Sequence, residues 1–253
     1  MLAPSSLLRA VILAFVVAGL ARSAATRAAP AADDMAVAQS LAEMLRDARA
    51  VISDEQDLIN NPDLGDKHLT GEVVLKQAIA KYEKDTGTDP KKIDPASREG
   101  RLLHAMMAAI VEVVDDNQAT INEKGTGFKA FIPAVFARLV SESFVRLAKG
   151  EAEIKVTAPL ELVRNRKARP DPLETEVIEK RFLDPAWPPG KPFSTTVETK
   201  GRTAFREMVP EYYVESCLAC HGSPKGEMDI TGYPKEGGKL NDLGAVISIT
   251  LYH

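Results

Sequence analysis

The sequence predicts an α+β fold, with a helical first half followed by a small antiparallel sheet. Apolar residues recur at helical spacing through residues 33–60 and again through residues 97–121. From residue 150 prolines become frequent, and short β-branched runs such as residues 244–251 replace the helical pattern. The 253 residues, 45% hydrophobic and 27% charged, allow one sizeable domain or a core domain with a smaller module.

Four helices are predicted before residue 150. They are residues 33–60, capped by Asp33 or Asp34 and ended by Asn61-Pro62; residues 71–85, ended by Gly87 and Pro90; residues 97–121, capped by Ser97 and ended by Gly125 and Gly127; and residues 133–149. Beyond residue 150, strands are predicted at 153–157, 193–198, 203–208 and 244–251, with a helix at 173–182. The expected division is a targeting segment at 1–32, a helical region at 33–149 and a sheet region at 150–253.

A repeat is indicated within the helical region. An offset of 62 residues places residues 51–60 on residues 113–122 without a gap, and pairs Gly65 with Gly127 and Lys67 with Lys129. We interpret this as two copies of a helix–turn–helix unit, each with an Ile-Asn stop and a Gly-x-Lys turn. The alternative is coincidence, because amphipathic helices share residue types readily.

The amino-terminal residues resemble a secretory signal. Arg9 precedes an apolar run at residues 10–21, and small residues follow. The run of 12 residues is shorter than the roughly 20 that a membrane span needs, so cleavage is favoured over an uncleaved anchor. We therefore expect a periplasmic protein with no membrane span after signal cleavage. The formal net charge of −4 argues against a nucleic-acid partner.

The chemistry is carried by Cys217-Leu-Ala-Cys220-His221, which holds both cysteines of the chain. C-x-x-C-H is the attachment signature of c-type haem. Two thiols at this spacing reach the two vinyl groups of one macrocycle, and the adjacent imidazole then meets the iron. We predict one covalent haem c, with His221 as the proximal iron ligand.

Three other interpretations of the motif are weaker. A disulfide across two residues would be strained and would close only a short loop. A thioredoxin-like redox pair normally opens a helix early in a βαβ pattern, which is absent around residue 217. A structural zinc site needs four ligands, and the sequence offers no second Cys/His pair.

The carboxy-terminal third resembles a family of exported single-haem c-type proteins with a PAS-like core and no assigned function. That family also supplies sensor regions of bacterial histidine kinases and chemoreceptors. The residues that carry the resemblance are Arg164-Asn165-Arg166, Arg169-Pro170-Asp171, Glu174, the C-x-x-C-H motif, Pro224 and Gly244-Ala245. It implies long N-terminal helices packed on a PAS-like antiparallel sheet with one haem c. The pattern of short strands separately leads us to expect the motif on the edge of that sheet. Family members can ligate the distal face of the iron with a cysteine from an N-terminal helix, but this chain has no third cysteine.

The sequence leaves more than one candidate for the distal ligand of the iron. His104 and Met106, on the long third helix, are the candidate distal ligands, and a water-bound or open iron is the alternative. Arg164 and Arg169 are candidates for pairing with the haem propionates, against the plainer interpretation of a solvated loop. Tyr213, beside the motif, is a candidate haem contact or a core residue.

These observations favour electron transfer or redox sensing over catalytic turnover. The alternatives are a haem-based sensor of NO or CO and a peroxidase- or reductase-type enzyme, which would need a distal acid–base group. No kinase or methyl-accepting segment follows the last strand, so we expect a separate redox or signalling partner protein. Exposed apolar stripes on the paired helices would also allow a homodimer.

Overall fold

The computed structural model describes residues 32–253, so the predicted signal segment lies outside the described residues apart from Ala32, where the first helix begins. The fold class is α+β, as predicted. The helices are α1 (Ala32–Asp54), α2 (Gln56–Ile59), α3 (Gly71–Thr86), α4 (Arg98–Asp116), α5 (Gln118–Ile121), α6 (Pro133–Leu147), α7 (Pro172–Val177) and α8 (Glu215–His221). A π-helical turn (Ile178–Phe182) continues α7, and short 3₁₀ turns lie at Pro90–Lys92, Leu160–Leu162 and Arg166–Ala168.

Side-chain caps explain where the longer helices start. The Ser97 hydroxyl accepts a hydrogen bond from the Gly100 amide (3.0 Å) at the start of α4, as the sequence predicts. At α7, Asp171 and Glu174 form a reciprocal capping box. Gly87, with φ of 72°, ends α3 in the left-handed conformation that glycine adopts without strain. Among residues 32–253, no helix combines the length and the apolarity needed to cross a bilayer.

One antiparallel sheet of four strands fills the second half: β1 (Ala152–Thr157), β2 (Phe193–Thr199), β3 (Arg202–Tyr212) and β4 (Leu243–Tyr252). The strand order is β1-β4-β3-β2. The segment with α8 connects β3 to β4, which are the two internal strands. The expectation that the motif sits on the edge of the sheet is therefore corrected, because it leaves the end of an internal strand.

Each face of the sheet is covered by a different layer. Phe205 and Val209 of β3 join the helical core formed mainly by α1, α3, α4 and α6. Met208, between them in sequence, joins a smaller cluster with α7 and the π-helical turn. The alternation follows from the two-residue period of a strand, and it directs every second side chain of β3 toward α1.

The two segments related by the 62-residue offset exchange hydrogen bonds. Asn122 accepts from the Lys67 amide and Asn60 accepts from the Lys129 amide, each at 3.0 Å. We call this arrangement the reciprocal turn pair; its members are Gln56, Asn60, Lys67, Gln118, Asn122 and Lys129. Both glutamines donate to a backbone carbonyl of the other segment, and both lysines are 5% exposed and donate to turn carbonyls. The helices also break at matching positions, between α1 and α2 and between α4 and α5.

Candidate functional site

Helix α8 presents the C-x-x-C-H motif immediately after β3. Cys217 and Cys220 lie three residues apart, so both thiols project from the same side of this short helix. Both cysteines are free and half-buried. Burial raises the pKa of the Cys220 thiol, and the nearby Asp229 carboxylate raises it further. The two sulfurs are thus unpaired and close to the surface, at the spacing that covalent haem attachment requires.

The imidazole of His221 is fixed at the end of α8. Its ring stacks on Tyr213, with 5.1 Å between centroids and 17° between planes. Its Nδ1 lies 2.9 Å from Oε2 of Glu236. A carboxylate only accepts hydrogen bonds, so Nδ1 carries a proton, and in the neutral form of the ring the lone pair lies on Nε2. Nε2 has no hydrogen-bond partner among residues 32–253.

Arg164 holds this arrangement together from the loop after β1. Its guanidinium donates to both carboxylate oxygens of Glu236 (2.8 and 3.0 Å), to Asp229 (2.6 Å) and to the backbone oxygen of Cys220 (3.0 Å). Burial alone would raise the pKa of Glu236, but the bonds from Arg164 and His221 bring it below its ordinary value. Arg164 therefore fixes the carboxylate that in turn fixes the imidazole.

Asp229 organises the segment that returns from the motif to β4. Its carboxylate accepts from the amide and hydroxyl of Thr231 and from the amide of Tyr233. Burial raises the pKa of Asp229, but the hydrogen bonds from Thr231 and Arg164 outweigh burial and leave it well below the ordinary value. Asp229 is thus an ionised anchor of this segment.

Two glycines allow the backbone to close around Tyr213. A Cβ on Gly238 would lie 2.6 Å from the Tyr213 ring, and one on Gly244 would lie 2.3 Å from it. Both distances are shorter than van der Waals contact allows. The Gly238 amide also donates to the backbone oxygen of His221 (2.8 Å). The ring and the imidazole that stacks on it are therefore held in a close-fitting backbone cradle.

Helix α1 approaches the motif from the helical layer. Arg46 and Arg49 both pair with Glu211, near the end of β3. Burial and Arg46 lower the pKa of Arg49 to about 10, so it stays a cation at neutral pH, and the Cys217 thiol acts in the opposite direction. A β-bulge between Glu211 and Tyr212 interrupts the register at this point. The side of the motif that faces α1 is thus lined by an ionic cluster.

The residues present fit a covalent haem. The donor set is two free thiols and an imidazole whose Nδ1 is bound and whose Nε2 is free, which is the usual arrangement of a metal-ligating histidine. Half of the exposed large apolar side chains of residues 32–253 fall between residues 214 and 240: Val214, Met228, Ile230, Tyr233 and Leu240. Exposed apolar side chains are therefore concentrated in the segment that contains and follows the motif.

The structure places only some of the other predicted site residues beside the motif. Tyr213 is buried against His221, as either of its two interpretations allows. Arg164 donates to protein acceptors in this structure, and its pairing with haem propionates stays a prediction. Arg169 is exposed, and its backbone oxygen accepts from Lys155.

Neither candidate distal ligand is brought to the motif. His104 is exposed on α4, and Met106 is 0% exposed inside the helical core. The main packing partners of α4 are α1, α3 and α6, not α8. The helix that does approach Cys217 is α1, through Arg49.

Sequence reasoning missed Glu236 and Glu211. Glu236 lies 15 residues after His221 in a segment without periodicity, so only the folded chain shows that the two meet. Glu211 could have been suspected, because an acidic residue interrupts the apolar pattern of a buried strand.

Comparison with known proteins gives one family. No curated protein and no solved structure matches the chain significantly. The family model described as Tll0287-like matches residues 32–251, which is nearly all of the described chain. The matched range spans the helical region and the sheet region together, including the motif. The chain therefore belongs to the Tll0287-like family.

Proposed function

We propose that this chain is a periplasmic c-type cytochrome that carries one covalent haem and acts in electron transfer or redox sensing. Cys217 and Cys220 would form the thioether bonds, and Nε2 of His221 would ligate the iron. The observation that carries the proposal is the Glu236–His221 hydrogen bond of 2.9 Å, because it leaves Nε2 as the free ligand atom beside two unpaired thiols.

The chain's own residues would position and tune the iron ligand. Bound haem supplies a one-electron iron couple. Glu236 would make the imidazole a stronger donor to the iron by accepting a hydrogen bond from its Nδ1–H group, and Arg164 would limit that effect by sharing the carboxylate. Tyr213 fixes the plane of the ring by stacking. These contacts hold the ligand rigidly, which suits a centre that changes charge without changing shape.

A haem-based sensor of NO or CO remains the second candidate. The observation that favours it is the environment on the α1 side, where the ionic cluster of Arg46, Arg49 and Glu211 offers no imidazole or thioether. An iron with a free or water-bound sixth position would admit a diatomic ligand. The same observation would suit a peroxidase- or reductase-type enzyme less well, because both arginines are ion-paired rather than free for acid–base work.

Attachment is tested by expressing the full chain with its signal segment in a bacterium competent for haem c maturation. We expect the added mass of one haem and a positive haem stain after denaturing electrophoresis. The Cys217→Ala/Cys220→Ala double variant should lose both. Absence of a porphyrin mass from the wild-type chain would reject the proposal.

The two candidates are separated by absorption spectra of the reduced protein with and without CO. A low-spin spectrum that CO leaves unchanged supports electron transfer. A spectrum that shifts with CO supports the sensor. His221→Ala should keep the covalent haem but become high-spin or misligated, which distinguishes loss of the ligand from loss of attachment.

A further inference from the structure

Three carboxylates meet between α1 and α3. Glu43 and Asp47 lie one helical turn apart on α1, and Asp85 lies in the last turn of α3. Each offers one oxygen, and these oxygens all lie within 4.8 Å of one another. Acidic clusters on helices are common and do not by themselves indicate a ligand, so the burial and pairing of each group decide the matter.

Asp47 distinguishes this cluster from a solvated acidic patch. Its side chain is 4% exposed, and its Oδ2 is buried without any hydrogen-bond partner. A buried carboxylate normally accepts hydrogen bonds or pairs with a cation, because desolvation without such partners costs several kcal/mol. Asp47 therefore lacks the partner that its burial requires.

The two cations that act on Asp47 both pair with other carboxylates. Arg46 pairs with Glu43 and with Glu211, and Lys81 lies 2.9 Å from Asp54. Asp85 is also placed at the carboxyl end of a helix, where the helix dipole disfavours a negative charge. The remaining groups around the cluster add no cation: Tyr82 packs beside it, and Ser40 donates to Glu99.

The electrostatics agree with this geometry. Burial raises the pKa of Asp47 to about 7, and Glu43 and Asp85 act in the same direction, outweighing Arg46 and Lys81. The cluster therefore has an affinity for positive charge that either a proton or a metal ion would satisfy.

We propose that Glu43, Asp47 and Asp85 bind one hard divalent cation, with Ca²⁺ preferred. Carboxylate oxygen is the ligand type of Ca²⁺, Mg²⁺ and Mn²⁺ rather than of zinc or copper. Three carboxylates around one ion suit Ca²⁺, whereas Mg²⁺ is usually held by one or two carboxylates and several waters. Glu43 and Asp85 are partly exposed, so water can complete the coordination.

The test uses the full haem-loaded chain, freed of metal with EDTA and titrated calorimetrically with CaCl₂, MgCl₂ or MnCl₂ at pH 8. We expect one ion per chain and a rise in the thermal midpoint with the ion that binds most tightly. Asp47→Asn should weaken binding about tenfold or more, because ligand charge sets affinity at such sites. Asp57→Asn, which removes the same charge from an exposed position on α2, should bind like the wild type.

Asp85→Asn covers the case in which the buried substitution does not fold. Asp85 is exposed, so removing its charge should weaken ion binding without unfolding the chain. Binding should also be tighter at pH 8 than at pH 6, because the ion competes with the proton on Asp47. The proposal is overturned if the wild type binds none of the three ions stoichiometrically, or if Asp47→Asn and Asp85→Asn both keep wild-type affinity. It is also overturned if Asp47→Asn stabilises the chain while no ion stabilises the wild type, because a bound proton then suffices.

Discussion

Glu207 lies in the middle of β3, on the face that packs against α1, and is 0% exposed. Its Oε1 accepts a hydrogen bond from Gln39 at 3.3 Å, which is long, and its Oε2 has no partner. Burial raises its pKa to about 7, and the bond from Gln39 only partly opposes that. We predict that replacing Glu207 by glutamine stabilises the protein above neutral pH.

The magnitude follows from the linkage between protonation and folding. A carboxyl whose pKa moves from 4.5 unfolded to about 7 folded binds its proton more tightly in the folded state. Its favourable contribution is complete below pH 4.5 and is lost as the pH rises through 7. At about 1.4 kcal/mol for each tenfold in proton affinity, the loss approaches about 3 kcal/mol. The glutamine of the variant does not titrate, so the variant does not lose this stability as the pH rises.

The assay is urea unfolding of both proteins at pH 5, 6, 7, 8 and 9. The free energy of unfolding of Glu207→Gln minus that of the wild type should grow with pH and level off above pH 8. Glu179→Gln, on the exposed surface of the π-helical turn, is the charge-matched control and should stay within about 0.5 kcal/mol of the wild type throughout. Parallel stability curves for Glu207→Gln and the wild type would show that Glu207 is ionised with a partner, and would refute the reasoning.

Two further predictions concern the site itself. In the haem-loaded chain that we propose, Glu236→Gln should raise the midpoint potential by about 40 mV, because His221 would lose a charged acceptor worth about 1 kcal/mol more than a neutral one. Redox titration measures this, and an unchanged or lower potential would contradict it. Gly244→Ala should lower the free energy of unfolding in urea by about 1–3 kcal/mol, because the new methyl group displaces the Tyr213 ring. Gly65→Ala is the control and should not do so, because a Cβ there meets nothing within 4 Å. Equal urea midpoints for the two variants would contradict the close packing around Tyr213.

Much of the fold could be predicted from local signals. Ser97, Gly87 and the β-branched run at residues 244–251 each act within a few residues, and the helix starts and strand positions follow from them. Periodicity alone did not show that the first and third predicted helices break at Glu55 and Asn117. Those breaks depend on contacts between segments far apart in sequence, which a helical pattern does not contain.

The candidate site was predictable only at its centre. The motif places Cys217, Cys220 and His221 close together in sequence, so its chemistry can be predicted without a structure. Arg164 is recognisable in the sequence as part of a basic cluster, but its partners Glu236 and Cys220 lie more than 50 residues away, so the sequence does not indicate these contacts. The candidate distal ligands His104 and Met106 stay predictions; helical periodicity does not show which elements α4 packs against, and its main partners are other helices.

The reciprocal turn pair has a consequence for how the helical layer folds. Each turn leaves backbone amides that only an asparagine from the opposite turn satisfies, so neither half can complete its own hydrogen bonding alone. A fragment ending before residue 113 would lack Asn122 and would leave the Lys67 amide without its acceptor. The two halves should therefore gain and lose structure as a single unit under hydrogen exchange, even though their sequences look like independent copies.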